Sequence, residues 1–151
     1  MITMKLDPAS MRVLQRALER YAPDVVAAEI KPIIQQTAKD IKKDAVAALR
    51  ANNSKRSGAL IRSVKIGAFQ KSKKRGLAWA ATGISGDSEE YQGETVIPRK
   101  YAHLVERGHI GRHGFVRARP FMGPAADRHM PGCLANIISA LQRLLARGAS
   151  K

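Results

Sequence analysis

The stretch from Tyr101 to Ala126, YAHLVERGHIGRHGFVRARPFMGPAA, leaves the backbone few choices. Tyr101, Leu104, Val105 and Gly108 stand at i, i+3, i+4 and i+7, which puts three apolar side chains on one helical face and a glycine just past its end. Pro98 sits where a first helical turn tolerates a missing N–H. A basic loop is expected after Gly108. Arg119-Pro120-Phe121 then sets the backbone direction, because proline locks φ and restrains the residue before it. Phe121 and Met122 are expected to anchor the segment that launches the last helix. On residues alone, this is a helix–loop–helix corner that suits any small α+β domain.

The rest of the chain supplies the elements such a corner joins. Asp7-Pro8 opens a helix, with Asp7 as N-cap and Pro8 at the first helical position, and Met11, Leu14, Leu18 and Tyr21 make its apolar stripe. Ala22-Pro23 breaks it. A second helix starts near Pro23, with Pro32 kinking or restarting it. Ile34, Ala38, Ile41, Ala45 and Leu49 carry its thin, alanine-rich face down to Ala51, and Asn52, Asn53 and Ser54 end it. Ser57-Gly58 marks a turn. Val64, Ile66 and Ala68 alternate with polar or small residues, as do Leu77, Trp79 and Ala81, so a β-hairpin with a long basic tip is expected. Ser85 to Gly93 reads as an acidic loop, Thr95 to Ile97 as a short strand, and Phe115-Val116 as another. Leu134, Ile137, Ile138, Leu141, Leu144 and Leu145 give the cleanest amphipathic pattern; Pro131 starts or kinks that helix and Gly148 caps it. The expected fold is α+β, with long N-terminal helices and a C-terminal helix packed on a small antiparallel sheet.

With 151 residues, one domain (1–151) can bury roughly 70% of the surface of the unfolded chain, enough to fold without disulfides or metal. Cys133 is the single cysteine, which fits a reducing compartment. No apolar run approaches the roughly 20 residues of a membrane span, and MITMKLDPAS lacks a signal-peptide core, so a soluble chain made in the cytoplasm, with no membrane partner, is expected.

Lysine and arginine total 27 against 12 acidic residues, a net charge of +15. Such a field favours nucleic acid, acidic protein surfaces or anionic membranes. Aromatic residues make up only 5%, which argues against a stacking platform for single strands. No acidic residue lies between Asp44 and Asp87. The hairpin's cations, Arg62, Lys65, Lys71, Lys73, Lys74 and Arg75, either keep the strand edges solvated or form a finger toward DNA or an acidic partner. Asp87, Glu89 and Glu90 follow as a block of opposite sign that can meet the basic block of a neighbouring copy.

No residue set points to catalysis. His109 and His113 are four apart, but Gly111 and Gly114 argue against a helix there, and His103 with Glu106 is an ordinary helix pair. No zinc-type spacing and no glycine-rich phosphate loop occurs. Cys133 reads as a small buried residue. The chain is expected to be no enzyme and to carry no cofactor or metal.

Three segments together resemble a known family: Ser57-Gly58-Ala59-Leu60-Ile61-Arg62-Ser63-Val64, Tyr101-Ala102-His103-Leu104-Val105-Glu106-Arg107-Gly108, and Ala118-Arg119-Pro120-Phe121-Met122-Gly123-Pro124-Ala125. They are similar to the [S/T]-G-x-L-x-x-S-[I/V], Y-A-x-x-V-E-x-G and A-R-P-F-[L/M]-x-P-A patterns of the tail-completion (neck) proteins of long-tailed bacteriophages, the HK97-type "gene product ten" family. The resemblance covers roughly residues 25 to 147. It sets residues 1–22 apart as an added helix, 23–147 as the core and 148–151 as a frayed tail. Arg107, where an apolar residue is common, and His109, where threonine is usual, depart from the pattern.

The resemblance implies a non-enzymatic virion protein of the neck or tail, assembled in the host cytoplasm. It would act in tail completion and head–tail joining as a homo-oligomeric ring, six copies by analogy, beside tail-terminator, tail-tube or connector proteins and around the path of DNA. Tyr101, Glu106, Gly108, Arg119, Pro120 and Phe121 would then hold the assembly corner. The alternative is a sequence-independent DNA-binding protein using the basic hairpin. A hydrolase built on His109 or His113 is the remaining reading.

Overall fold

The computed structural model describes residues 7–52, 58–67, 70–71, 78–79 and 82–149. Among these residues there are five helices, α1 (Pro8–Arg20), α2 (Pro23–Ala51), α3 (Ala59–Ser63), α4 (Pro98–Arg107) and α5 (Met122–Ala149), and eight short strands, six between α3 and α4 and two between α4 and α5. These are β1 (Val64–Ile66), β2 (Gln70–Lys71), β3 (Ala78–Trp79), β4 (Thr82–Ile84), β5 (Glu89–Tyr91), β6 (Glu94–Val96), β7 (His109–Gly111) and β8 (Gly114–Val116). The class is α+β. Among the described residues all pairing is antiparallel, and the strands form four two-stranded ribbons, β1–β4, β2–β3, β5–β6 and β7–β8, instead of one sheet.

The chain divides into two compact units. The first comprises Met1–Thr37, Ala68–Ala80 and His129–Lys151. The Asp7 carboxylate accepts from the N–H groups of Ala9 (2.8 Å) and Ser10 (2.9 Å) and from Ser10 Oγ (2.5 Å), so α1 starts where a capping residue satisfies its open donors. These bonds, the Ser10 hydroxyl foremost, hold Asp7 below the ordinary carboxylate range. The core of this unit is Ala17, Val26, Leu141 and Leu144, with Val13, Leu14, Tyr21, Ile30, Ile137 and Leu145 packed against it. Of the expected α1 stripe, Leu14 and Tyr21 pack on this core, and the other two residues are corrected. Met11 and Leu18 are exposed, while Ser10, Val13 and Ala17 face inward, because small residues let the helix approach closely.

Gly148 is also corrected: it lies inside α5 and does not cap it. A Cβ there would overlap the Tyr21 ring, whose Oη donates to the Leu144 carbonyl at 2.8 Å. Glycine serves here for close approach, not for termination. Pro131 likewise lies within α5, which already begins at Met122, and Pro32 lies within an unbroken α2.

The second unit comprises Ala38–Gly67 and Ala81–Arg128. Ala38, Ile41, Ala45 and Leu49 bury the expected face of α2, with Ala59, Leu60, Val64, Ala102, Phe121, Ala125 and Ala126 completing its buried apolar set. Thr82 Oγ1 donates to the Ala38 carbonyl at 2.9 Å, pinning β4 to α2. Gly58 at φ +68 turns the chain into α3, a helix the alternation of the following strand had hidden. The segment read as an acidic loop contains β5 and the start of a tight hairpin. Gln92 (φ +53) and Gly93 (φ +78) are its central residues, and positive φ at both is the geometry that matches strand twist. The basic loop after Gly108 is a further hairpin, β7–β8, with Ile110 opposite Phe115.

Candidate partner-binding site

The corner between α4 and α5 is built around one carboxylate. Glu106 stands in the last turn of α4, half-buried, and accepts three backbone N–H groups at the start of α5. Oε2 takes Phe121 (2.9 Å) and Met122 (3.1 Å), and Oε1 takes Gly123 (2.9 Å). A helix N-terminus presents open donors and a partial positive charge, so a carboxylate from another helix both satisfies and neutralises it. Gly108 ends α4 at φ +75 and ψ 166. The returning strand passes so close that a Cβ would lie 2.7 Å from both Ala118 N and Val116 O. Arg119 N donates to the Val105 carbonyl at 2.8 Å and Arg119 Nη1 to Asn52 O at 3.0 Å, beyond the end of α2. Phe121 is buried behind them, Tyr101 is half-buried on α4, and Pro120 is exposed. All six residues expected at the corner thus lie in one unit, with Glu106, Gly108, Arg119 and Phe121 in direct contact with the segments they join.

A shallow groove of about 310 Å³ opens beside Phe121, floored by Ala47, Ala48, Ala51, Pro124 and Ala125. The Asp44–Arg128 ion pair (2.8 Å) stands at its rim.

The two charged blocks meet within the chain. Arg62 holds Glu89 through Nη2 (2.5 Å) and Nε (3.2 Å), and Lys65 Nζ holds Asp87 at 2.5 Å, with Ser85 Oγ also bonded to Asp87. Arg62 lies on α3 and Lys65 on β1, so neither belongs to a projecting finger. Lys71 lies on β2, while Lys73, Lys74 and Arg75 lie outside the described residues. Glu90 is exposed on β5, opposite Thr95.

The pairs have a pH signature. The Arg62 guanidinium holds Glu89 below its ordinary 4.5, and the Lys65 ammonium, with the Ser85 hydroxyl, holds Asp87 below 3.8. A depressed carboxyl pKa contributes stability above the ordinary value and loses it as pH falls through the folded value. Lowering the pH through 4.5 and then below 3.8 is therefore expected to weaken the Arg62–Glu89 and Lys65–Asp87 pairs. Carboxyl titration by NMR checks this. A Glu89 midpoint at or above 4.5 would show that the pair does not form in solution.

Another set of exposed cations lies elsewhere among the described residues. On α4, Arg99, Lys100, His103 and Arg107 are exposed, as are Arg112 and His113 in the β7–β8 turn and Arg117 just after β8. Glu106 is the sole acid from Thr95 to Ala126, and its carboxylate is turned inward. Arg99, His103 and Arg107 repeat at i, i+4 and i+8, so the stripe was legible in the spacing; only the apolar face of the same helix had drawn the reading.

His109 is half-buried and its Nδ1 has no hydrogen-bond partner among the described residues. No group of three or more His, Cys, Asp or Glu among the described residues is placed to hold a metal. Cys133 is buried with a free thiol. No helix among the described residues is long and apolar enough to cross a membrane.

No curated protein and no solved structure matches the chain. One family model does, "Bacteriophage HK97-gp10, putative tail-component", over residues 12–108, close to two thirds of the sequence. The match begins inside α1 and ends on Gly108. It contains the first two resembling segments and Glu106, and stops before the Arg119-Pro120-Phe121 turn that Glu106 holds. With that coverage, the chain belongs to the family of bacteriophage HK97 gp10-like tail components.

Proposed function

We propose that this tail component is a non-enzymatic assembly protein that completes the tail and joins it to the head, working as a ring of copies at the neck or head-proximal tail end. The observation supporting this reading is the convergence of the three resembling segments in one unit. The first forms α3 and enters β1, and α3 packs on α4. The second is most of α4, and the third is tied to it by the Glu106 carboxylate and the Arg119 N–H. The segments resembling the tail-completion pattern thus build a braced corner. Such a corner positions surfaces, which is what an adaptor between larger assemblies requires. In a ring, copies meet head to tail through two different surfaces, and the ring closes only if the rotation between them matches.

A phage carrying an early stop codon in this gene tests the reading. Electron microscopy of its lysate is expected to show DNA-filled heads beside separate or defective tails. Intact infectious particles would sink the tail-completion and joining role and leave only family membership.

A further inference from the structure

Hairpin β7–β8 presents an apolar pair to solvent. Ile110 is 87% exposed, Phe115 is 74% exposed, and the register sets them directly opposite each other. Cross-strand partners share one face of a ribbon, so the two side chains form a single knob. Val116, 43% exposed, lies on the opposite face, across from His109. Exposed arginines flank the pair in sequence: Arg107 at the end of α4, Arg112 two residues after Ile110 and Arg117 two residues after Phe115, with Arg99 and Lys100 at the start of α4. None of these five makes an ion pair among the described residues.

The charge balance decides what can cover this surface. A second copy brings another +15. At least six of its 12 acids are engaged at home: Asp7 caps α1, Glu106 caps α5, and Glu29, Asp44, Asp87 and Glu89 hold cations. A copy is therefore a poor counter-surface for five unpaired cations. Nucleic acid answers the cations, but phosphates give no reason for an aliphatic–aromatic knob on the hairpin. An apolar anchor on a hairpin that also carries exposed arginines fits the anatomy of a protein hot spot, where the centre is desolvated and the charged rim steers approach and selects the partner.

We propose that the β7–β8 hairpin and the basic face of α4 dock an acidic protein other than this chain, which receives Ile110 and Phe115 in an apolar recess and sets carboxylates against Arg107, Arg112 and Arg117. The choice of particle on which to look for that protein rests on the tail-assembly reading.

The test uses the purified full-length chain and nuclease-treated heads and tails separated from the stop-codon lysate, with binding read by co-sedimentation. The wild-type chain is expected to bind one particle class. Ile110→Asp with Phe115→Asp is expected to weaken that binding roughly thirtyfold or more, and Arg112→Glu with Arg117→Glu about tenfold, the latter loss shrinking as salt is raised. The charge-reversal pair leaves the apolar knob intact and reads the surface independently of it. Melting temperatures report whether each variant folds.

Variants that bind as the wild type does overturn the proposal, as does a wild-type chain that binds neither particle. It is also overturned if the substitutions spare particle binding but abolish a salt-dependent shift of a duplex of about 30 base pairs, which makes the surface a phosphate site. A change in self-association instead would make it an interface between copies. The stop-codon phenotype judges the tail-completion reading separately, whereas the docking claim is judged on variants against wild type.

Discussion

A Gly108→Ala chain is expected to be less stable than the wild type by roughly 3 kcal/mol or more, which for a domain of this size lowers the melting temperature by about 6–12 °C. Two causes act together. The backbone at φ +75 and ψ 166 occupies a region open essentially to glycine alone, and a side chain there costs about 1–3 kcal/mol by itself. The added Cβ would also lie 2.7 Å from Ala118 N and Val116 O, which are backbone atoms that cannot swing aside. The strand carrying them is tied one residue later, where the Arg119 N–H meets the Val105 carbonyl. Calorimetry or circular dichroism checks the loss. A shift under about 2 °C would mean that the corner has slack the geometry does not show.

The second large effect is expected from Glu106→Ala, at roughly 2–3 kcal/mol. Three backbone donors lose a charged acceptor at once, and hydrogen bonds to charged groups are worth about 1.5–3 kcal/mol each before water replaces them. Solvent reaches a half-buried site, so the sum is not taken at face value. Glu106→Gln keeps one carbonyl acceptor without the charge and should lose about half as much. Urea unfolding separates the cases if the slope stays constant, since a midpoint change alone is then a stability change. Equal losses for alanine and glutamine would assign the effect to charge and not to geometry. Because Glu106 and Gly108 serve one corner, the double variant should lose less than the two losses added.

The parts of the fold that were legible share a physical character. The Asp7-Pro8 start of α1, the Ala38/Ile41/Ala45/Leu49 face of α2 and the Pro98 start of α4 each depend on local rules that hold whatever surrounds them. The parts that were not legible depend on partners distant in sequence. Nothing near Gly148 reveals that Tyr21, more than a hundred residues away, needs its space. Glutamine with positive φ in the Gln92-Gly93 turn is outside the usual Asn-Gly and Asp-Gly signals, so β5 read as loop although the strand expected at Thr95–Ile97 overlaps β6. Strand β7, His109–Gly111, is too short for its alternation to speak.

The candidate site divided in the same way. Glu106 was placed at the corner from its motif, but its three-amide grip became visible only when α5 was found to start at Met122 and not near Pro131. The cations at Arg62 and Lys65 looked available because a sequence does not say that Glu89 and Asp87 will fold back on them. The exposed knob at Ile110 and Phe115 had no sequence signal, since two apolar residues five apart in a glycine-rich stretch suggest a core as readily as a surface.

The braced base of β7–β8 has a consequence for how this part of the molecule can change. Gly108 and the Arg119 N–H fix the hairpin where it leaves and rejoins the body, while its outer residues bury nothing in the core. Surface substitutions away from special features usually stay within about 0.5 kcal/mol, and loop tips accept insertions that interiors refuse. The outer part of the ribbon, from Ile110 to Phe115, can therefore drift, lengthen or be exchanged as a cassette without unfolding what carries it. A short epitope placed between Arg112 and His113 would sit on an intact protein. Selection on this hairpin can then follow what it touches, free of what the fold requires.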